Sequence, residues 1–450
     1  PLDARIVVLG ESLGQDELRL RRPFVGKSGQ KLRTHMRLAG IHPEKCRIDN
    51  VYPFYPEGGS IDKLDPGVLR EWQANTLERL RLCHDTAFVV CVGNVALETC
   101  TGLRDITRRR GSVYEWEGRK IIGMIHPAAI LHNRGGGGGR YFEKMCRLDW
   151  ERVKLLAAPH TTHHHYCGCA LKIERTHVTP FSVSPDALRN WWRRFREMAE
   201  DPAQVLAIDI ETPKMQGTRQ VFCISFAFTA NRSLVLPFDT EHKPLIESLC
   251  NAPCIKVGHN FVSFDRWWLK REGIGVRGEI RDTMCFSHCL DPASPHSLEF
   301  LTSRYTWEPW YKDEGKGHDI TLIEKDMEGY FRYAGLDACV TIELHNILWP
   351  ALSARGLLHF YRRHYEALYD PILDVMTHGV AIDHSYRIQL LENLLTEVRQ
   401  ARDRLGEING KPLFTLGTKR DQTIFDAYTA SGWDGLRAKQ WLKDAFMQED

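Results

Sequence analysis

No apolar run in this 450-residue chain is long enough to span a bilayer, and no signal-peptide pattern opens it. A membrane partner is not expected, and the cytoplasm of a bacterial or phage-infected cell is the default compartment. An excess of one charge sign is also missing. The chain has 60 Lys and Arg against 58 Asp and Glu, a formal net charge of +2. Affinity for a polyanion therefore has to come from local patches. A disulfide framework is absent too. The 13 cysteines are odd in number and scattered through apolar segments, which fits buried reduced thiols. There is no internal repeat. Low complexity is confined to Gly135–Gly139, expected to be a mobile loop. The chain lacks an initiator Met, which suggests a trimmed N-terminus. What remains is ordinary globular composition, 43% apolar and 26% charged, at a length that predicts two or three domains.

The expected class is multi-domain α/β. Residues 1–157 alternate apolar runs with helical stretches, and Arg5–Leu9, Ala87–Val92 and Ile121–Ile125 read as buried parallel strands. Residues 158–179 read as a linker. Its His163, His164 and His165 cannot all face one ion, and no second Cys pair follows Cys167 and Cys169 at zinc spacing, so no metal is expected there. Residues 180–356 form a second α/β unit with first strands at Val205–Ile210 and Val221–Phe228. Residues 357–450 are helical, with a long amphipathic stretch from Tyr386 to Ile408.

The second unit carries a spaced set of acids. Asp209 and Glu211 are two apart on a strand, so both face the same way. Asn260, Phe264 and Asp265 follow an apolar strand and lead into a helix. Tyr333 and Asp337 are four apart and share a helix face. Several carboxylates converging on ions, with a hydroxyl to orient water, suit hydrolysis of a phosphodiester. Over residues 180–350 these motifs resemble the DEDDy-type 3′–5′ proofreading exonuclease domain of family A DNA polymerases. The resemblance implies an RNase H-like fold. It also implies two Mg²⁺ or Mn²⁺ ions held by Asp209, Glu211, Asp265 and Asp337, with Tyr333 orienting the water and Asn260 and Phe264 contacting substrate. Asn260 and Asp265 are five apart, where the bacterial type usually has four.

In the first unit, Gly10-Glu11-Ser12-Leu13-Gly14 follows a strand and Arg22-Pro23-Phe24-Val25-Gly26 follows that. Asp49-Asn50-Val51 and His126-Pro127 come later. Phe24 can stack on a flipped base, Asn50 can read its edge, His126 can donate to a developing oxyanion, and Glu11 can orient water near the sugar. Residues 4–157 resemble the uracil-DNA glycosylase superfamily, family 4 type, an α/β/α sandwich. Two departures stand out. Leu13 replaces a usual proline, and Phe54 and Asn75 stand near the places of two cluster-ligating cysteines. No iron–sulfur cluster is therefore expected, and Cys46, Cys83, Cys91 and Cys100 read as packing residues. Ile130 and Leu131 either wedge into the gap left by a flipped base or simply pack.

Arg19 to Arg37 holds seven Lys and Arg, Arg22 among them, and no acid; Arg108, Arg109 and Arg110 form a second cluster. Both suit phosphates, or else a solvated helix face. The last hundred residues resemble the segment joining exonuclease to polymerase. No palm motif follows, so polymerisation is not expected from these residues. The palm and fingers would lie downstream or on a separate chain. The expected partners are single-stranded 3′ ends and uracil-containing DNA. The first unit is either an active glycosylase or an inactive module that only binds uracil or DNA.

Overall fold

The computed structural model describes residues 4–84, 88–132, 138–157, 173–215, 218–312 and 323–409. Pro1–His378 forms one compact unit and Gly379–Asp450 another. The linker residues His163 to His165, Cys167 and Cys169, and most of the glycine run, lie outside the described residues. Gly138 already opens the helix Gly138–Ala157.

The first sheet contains β1 (Ile6–Gly10), β2 (Arg47–Asn50), β3 (Phe88–Val92), β4 (Val113–Trp116) and β5 (Arg119–Met124), in the order β2-β1-β3-β5-β4. All neighbours are parallel except β4 with β5. β3 reads Phe-Val-Val-Cys-Val and is buried throughout, as a central parallel strand covered on both faces requires.

The second sheet contains β6 (Thr176–Val178), β7 (Val205–Glu211), β10 (Cys223–Thr229), β11 (Arg232–Pro237), β12 (Ile255–Gly258) and β13 (Ile280–Asp282), in the order β13-β12-β7-β10-β11-β6. Between β7 and β10 a separate hairpin pairs β8 (Lys214–Met215) with β9 (Thr218–Arg219). The strand β6 falls inside the segment expected to be a linker. It pairs with β11, so this sheet begins before residue 180. A three-residue edge strand has too few apolar positions to stand out in sequence.

One helix, Met327–Ala354, crosses the second sheet. Ala207, Ala227 and Val257 on the sheet meet Ala338, Cys339 and Ile342 on the helix. These side chains are small, so the backbones come close. Gly335 is the tightest point: a Cβ there would lie 2.4 Å from Ser233 Oγ and 2.7 Å from His177 Nδ1. This seam fixes how near the helix brings its polar residues to β7.

The C-terminal bound of this module also differs from the expected one. Tyr361, Tyr369 and Leu373 belong to the same core as β7 and β10, so residues 357–378 pack on the second module. Arg266–Asp370 and Lys270–Asp374 ion pairs tie them down. The helix His384–Asn409 of the second unit covers the expected amphipathic stretch.

The two modules also share a core. Ile125, Met145 and Leu148 of the first cluster with Leu206 and Ile208 of the second, while Trp307 packs among Val8, Phe24 and Trp150. Arg110 faces Asp149 through Nε (2.9 and 3.0 Å) and Nη2, and it also reaches Ser303 Oγ at 3.5 Å. Arg152 donates to the carbonyls of Arg304 and Thr306 and lies 4.3 Å over the Trp307 ring.

Burial of neutral histidines makes the fold acid-sensitive. His345 is 4% exposed, and its Nε2 faces Arg281 at 3.0 Å. Burial, with Arg281 adding to it, pushes its pKa down to about 4. The unfolded chain takes up this proton near pH 6.5 and the folded one does not. The stability carried by neutral His345 is complete above pH 6.5 and is lost progressively from there down to about 4. His345→Gln cannot titrate. In urea unfolding, the stability gap between wild type and this variant should narrow by roughly 1–2 kcal/mol from pH 7 to pH 5. A constant gap would show that His345 already titrates normally.

Candidate functional site

β7 is flanked by β10 and β12, so its sequence is apolar until its C-terminal end, where Asp209 and Glu211 appear on one face. The close helix seam sets Asp337 opposite them. Carboxylate oxygens of Asp209, Glu211 and Asp337 all lie within 4.8 Å of one another. Three like charges in so small a buried space strongly oppose ionisation. Burial, then Asp337, Asp265 and Glu211, push the Asp209 carboxyl well above the usual range. Burial and Asp337 push Glu211 up to about 8. Asp209 Oδ2 is buried and has no hydrogen-bond partner among the described residues. An oxygen-only donor set with an orphaned carboxylate oxygen fits a hard divalent cation.

Asp265 departs from the expectation that four carboxylates would converge. It is buried at the start of the helix Asp265–Arg271, and its Oδ1 accepts the backbone N–H of Ile210 at 2.9 Å. It stands against β7 and acts on Asp209 through its charge, but it is not one of the three mutually close acids. Tyr333 shares the helix with Asp337 and is 6% exposed. Asn260 adopts a left-handed backbone (φ 58°), and Phe264 is half-buried just before the helix.

Sequence reasoning missed four groups around this cluster. Lys312 Nζ donates to both Asp337 oxygens, at 2.7 and 2.6 Å, and to Tyr333 Oη at 3.1 Å. Tyr311 Oη donates to Asp337 Oδ1 at 2.5 Å, and Tyr330 Oη to Glu211 Oε2 at 3.3 Å. Asp282 accepts the N–H groups of Asn260 (3.1 Å), Phe261 (2.7 Å) and Met284 (2.8 Å). It thereby holds the Asn260 loop. Tyr330 shares the helix face of Tyr333 and Asp337 at spacings of three and seven, but Lys312, Tyr311 and Asp282 have no periodic signal. The only hint was a lysine closing the aromatic run Trp307-Glu308-Pro309-Trp310-Tyr311.

A second constellation forms at the ends of β1 and β2. Gly10 pairs with Asn50, and a Cβ on Gly10 would come within 2.4 Å of both Asn50 Oδ1 and the Phe24 ring. Asn50 is 3% exposed and its Oδ1 lacks a partner among the described residues, so a buried acceptor is left ready for a ligand donor. The Phe24 ring lies 5.9 Å from that of His126. Phe24 takes a left-handed backbone (φ 55°), held by Arg33 Nε on its carbonyl at 3.0 Å. Glu17, which the sequence did not single out, accepts Gly26 N–H at 2.7 Å and fixes the other end of that loop. His126 Nδ1 accepts the N–H of Ala128 at 3.2 Å, which leaves Nε2 as the protonated nitrogen. Burial lowers the His126 pKa and favours this neutral form. Glu11 Oε1 accepts Val95 N–H at 3.1 Å, at the N-terminus of the helix Asn94–Thr101.

One open alternative is decided and two expectations need correction. Ile130 is 5% exposed inside the shared core, so of its two readings packing is the one that fits; Leu131 is half-buried. Much of the basic stretch is neutralised: Lys31 pairs with Glu143, Arg37 with Glu44 and Arg19 with Asp16. Arg22 is exposed, and with Arg21 and Lys27 it keeps its charge unpaired among the described residues. Arg110 is buried at the module junction, so only Arg108 and Arg109 of the second cluster reach the surface, and Arg108 is paired with Asp105.

Comparison with known proteins divides the chain in the same way. Residues 1–148 match the uracil DNA glycosylase superfamily, and residues 184–353 match a 3′–5′ exonuclease family. The type-4 uracil-DNA glycosylase of Thermotoga maritima is 32% identical over 136 residues, 30% of this chain and 69% of that protein. DNA polymerase I of Rhizobium leguminosarum is 29% identical over 206 residues, 44% of this chain and 20% of that protein. DNA polymerase I of Synechocystis is 35% identical over 169 residues, 36% of this chain and 17% of that protein. The chain thus spans about a fifth of the polymerases it matches.

Proposed function

Since the chain belongs to the uracil-DNA glycosylase superfamily in its first module and carries the 3′–5′ exonuclease domain of family A DNA polymerases in its second, we propose that it trims single-stranded DNA 3′ ends and excises uracil from DNA. The observation that carries the exonuclease half is the buried Asp209, Glu211 and Asp337 cluster. Divalent ions, Mg²⁺ or Mn²⁺, would supply charge stabilisation of the phosphodiester and activation of water. Asp209, Glu211 and Asp337 would hold them, with Asp265 beside β7 as the fourth acid. Tyr333 offers its hydroxyl to the attacking water. Asn260 and Phe264 flank the substrate, and Asp282 keeps their loop in place.

In the first module Phe24 stacks on the flipped base and Asn50 pairs with its edge. Neutral His126 donates from Nε2 to the uracil oxygen that becomes negative as the glycosidic bond breaks. Glu11 faces the sugar, where a carboxylate favours the cationic transition state. Arg21, Arg22 and Lys27 neutralise neighbouring phosphates. The domains proposed are residues 1–157 and a second module that β6 and residues 357–378 extend on either side of 180–356. The residues that follow resemble the start of a polymerase-like region.

One experiment separates the two halves. EDTA should stop shortening of 3′ ends and spare uracil release, whose chemistry uses only hydrogen bonds and charge. Asn50→Ala should reduce uracil release by roughly tenfold or more, the scale of a lost buried hydrogen bond, and leave shortening unchanged. If wild type releases no uracil yet prefers uracil-containing DNA, the first module is a binding module. The buried, partnerless Asn50 Oδ1 favours a uracil pocket in both versions.

A further inference from the structure

Among the described residues, Lys312 is the cation that reaches the acidic cluster. Its Nζ meets both oxygens of Asp337 and the Tyr333 hydroxyl, and it lies 5.2 and 5.0 Å from the centres of the Tyr311 and Tyr333 rings. Burial alone would lower its pKa, but Asp337, then Asp209 and Glu211, outweigh that and raise it, so it is charged. Its ammonium has the position and charge of a ligand-bound cation. Two Asp337 lone pairs that a divalent ion would use are engaged by it, while Asp209 Oδ2 is engaged by nothing described.

We propose that Lys312 is a displaceable cation of the exonuclease site, holding Asp337 before ions load and then carrying its charge to the scissile phosphate. The proposal rests on the exonuclease reading above. Charge balance supports it. Four carboxylates offset two divalent ions, and the phosphodiester brings one further negative charge, which Lys312 offsets. Side-chain chemistry supports it as well. Lysine is a compact point charge on a flexible four-carbon stem, so it can leave Asp337 and reorient without moving the backbone. Leaving Asp337 also frees the Tyr333 hydroxyl for water. A purely structural lysine would predict the opposite linkage, because removing it would loosen the cluster and weaken ion binding.

The test titrates Mn²⁺ into the full chain without DNA, by calorimetry, for wild type and Lys312→Met. Met keeps the length and apolar stem and removes the competitor. Mn²⁺ should bind Lys312→Met about 10- to 100-fold more tightly, the scale of a charge-assisted hydrogen bond that no longer has to break. At saturating Mn²⁺, kcat on a single-stranded oligonucleotide should fall at least about tenfold with KM changed less, because the charge acts on the reacting phosphate. Lys312→Arg, which keeps the charge, should bind Mn²⁺ like wild type. Equal or weaker Mn²⁺ binding by a folded Lys312→Met overturns the proposal, as does tighter binding with undiminished kcat. If wild type binds Mn²⁺ but degrades no DNA, the exonuclease reading fails, and the binding comparison still decides whether Lys312 competes with the ion.

Discussion

Asp209→Ala combined with Glu211→Ala should reduce divalent-ion-dependent shortening of single-stranded 3′ ends to background. The expected loss is complete because these residues are two of the three mutually close acids, and the third, Asp337, is held by Lys312 and Tyr311. With both gone, Asp337 and Asp265 alone remain, and neither lies on β7 to complete the ligand set of an ion. The fold should not suffer. Two buried like charges are removed, and Asp209 and Glu211 are both strained toward their protonated forms by burial and by Asp337. The melting temperature should therefore stay level or rise, which separates lost chemistry from lost structure. Uracil release should be unchanged. Undiminished shortening by the double variant would sink the assignment of the cluster.

The second large effect is on stability. Asp149→Ala strands the Arg110 guanidinium, 3% exposed, with a long contact to Ser303 Oγ and the Phe300 ring 5.4 Å away as its remaining described neighbours. Breaking a buried ion pair from one side costs about 3–5 kcal/mol, since the remaining charge loses its partner without regaining water. That is a large part of the stability of an ordinary domain. The loss should appear in both modules, because Arg110 and Asp149 sit where the helix Gly138–Ala157 meets the segment around Ser303. Replacing both partners, Arg110→Met with Asp149→Leu, should recover most of the loss, because no charge is then left buried. Equal unfolding midpoints in urea for wild type and Asp149→Ala would show that the pair is not buried in solution. A single variant and a double variant that are equally unstable would instead make the shape of the junction, not its charge, the deciding factor.

Some of this architecture follows from local pattern. β7 had to be a central strand because Val205 to Ile208 are apolar without alternation, and its period of two puts Asp209 and Glu211 on one face. Tyr333 and Asp337 share a face because a helix returns after four residues. Asn50 and His126 stand at or just past strand ends, and Phe24 in the loop before the helix Lys27–Leu38, where backbone changes direction and side chains can converge. Each of these needs only a short window of sequence. The rest needed the tertiary structure. Lys312 reaches Asp337 across 25 residues, Asp282 reaches Asn260 across 22, and Arg152 reaches Thr306 across 154. Asp265 had the right residue type and position, yet its carboxylate is tied to the Ile210 N–H. Ile130 reads equally as a wedge into DNA or as a packing residue, and its place in the core the two modules share decides for packing. The sequence by itself determined which residues lie at strand ends and on helix faces, and so which chemistry could assemble. Only the tertiary structure decided what each charge faces, because periodicity records that a surface is buried and carries no information about what is packed against it.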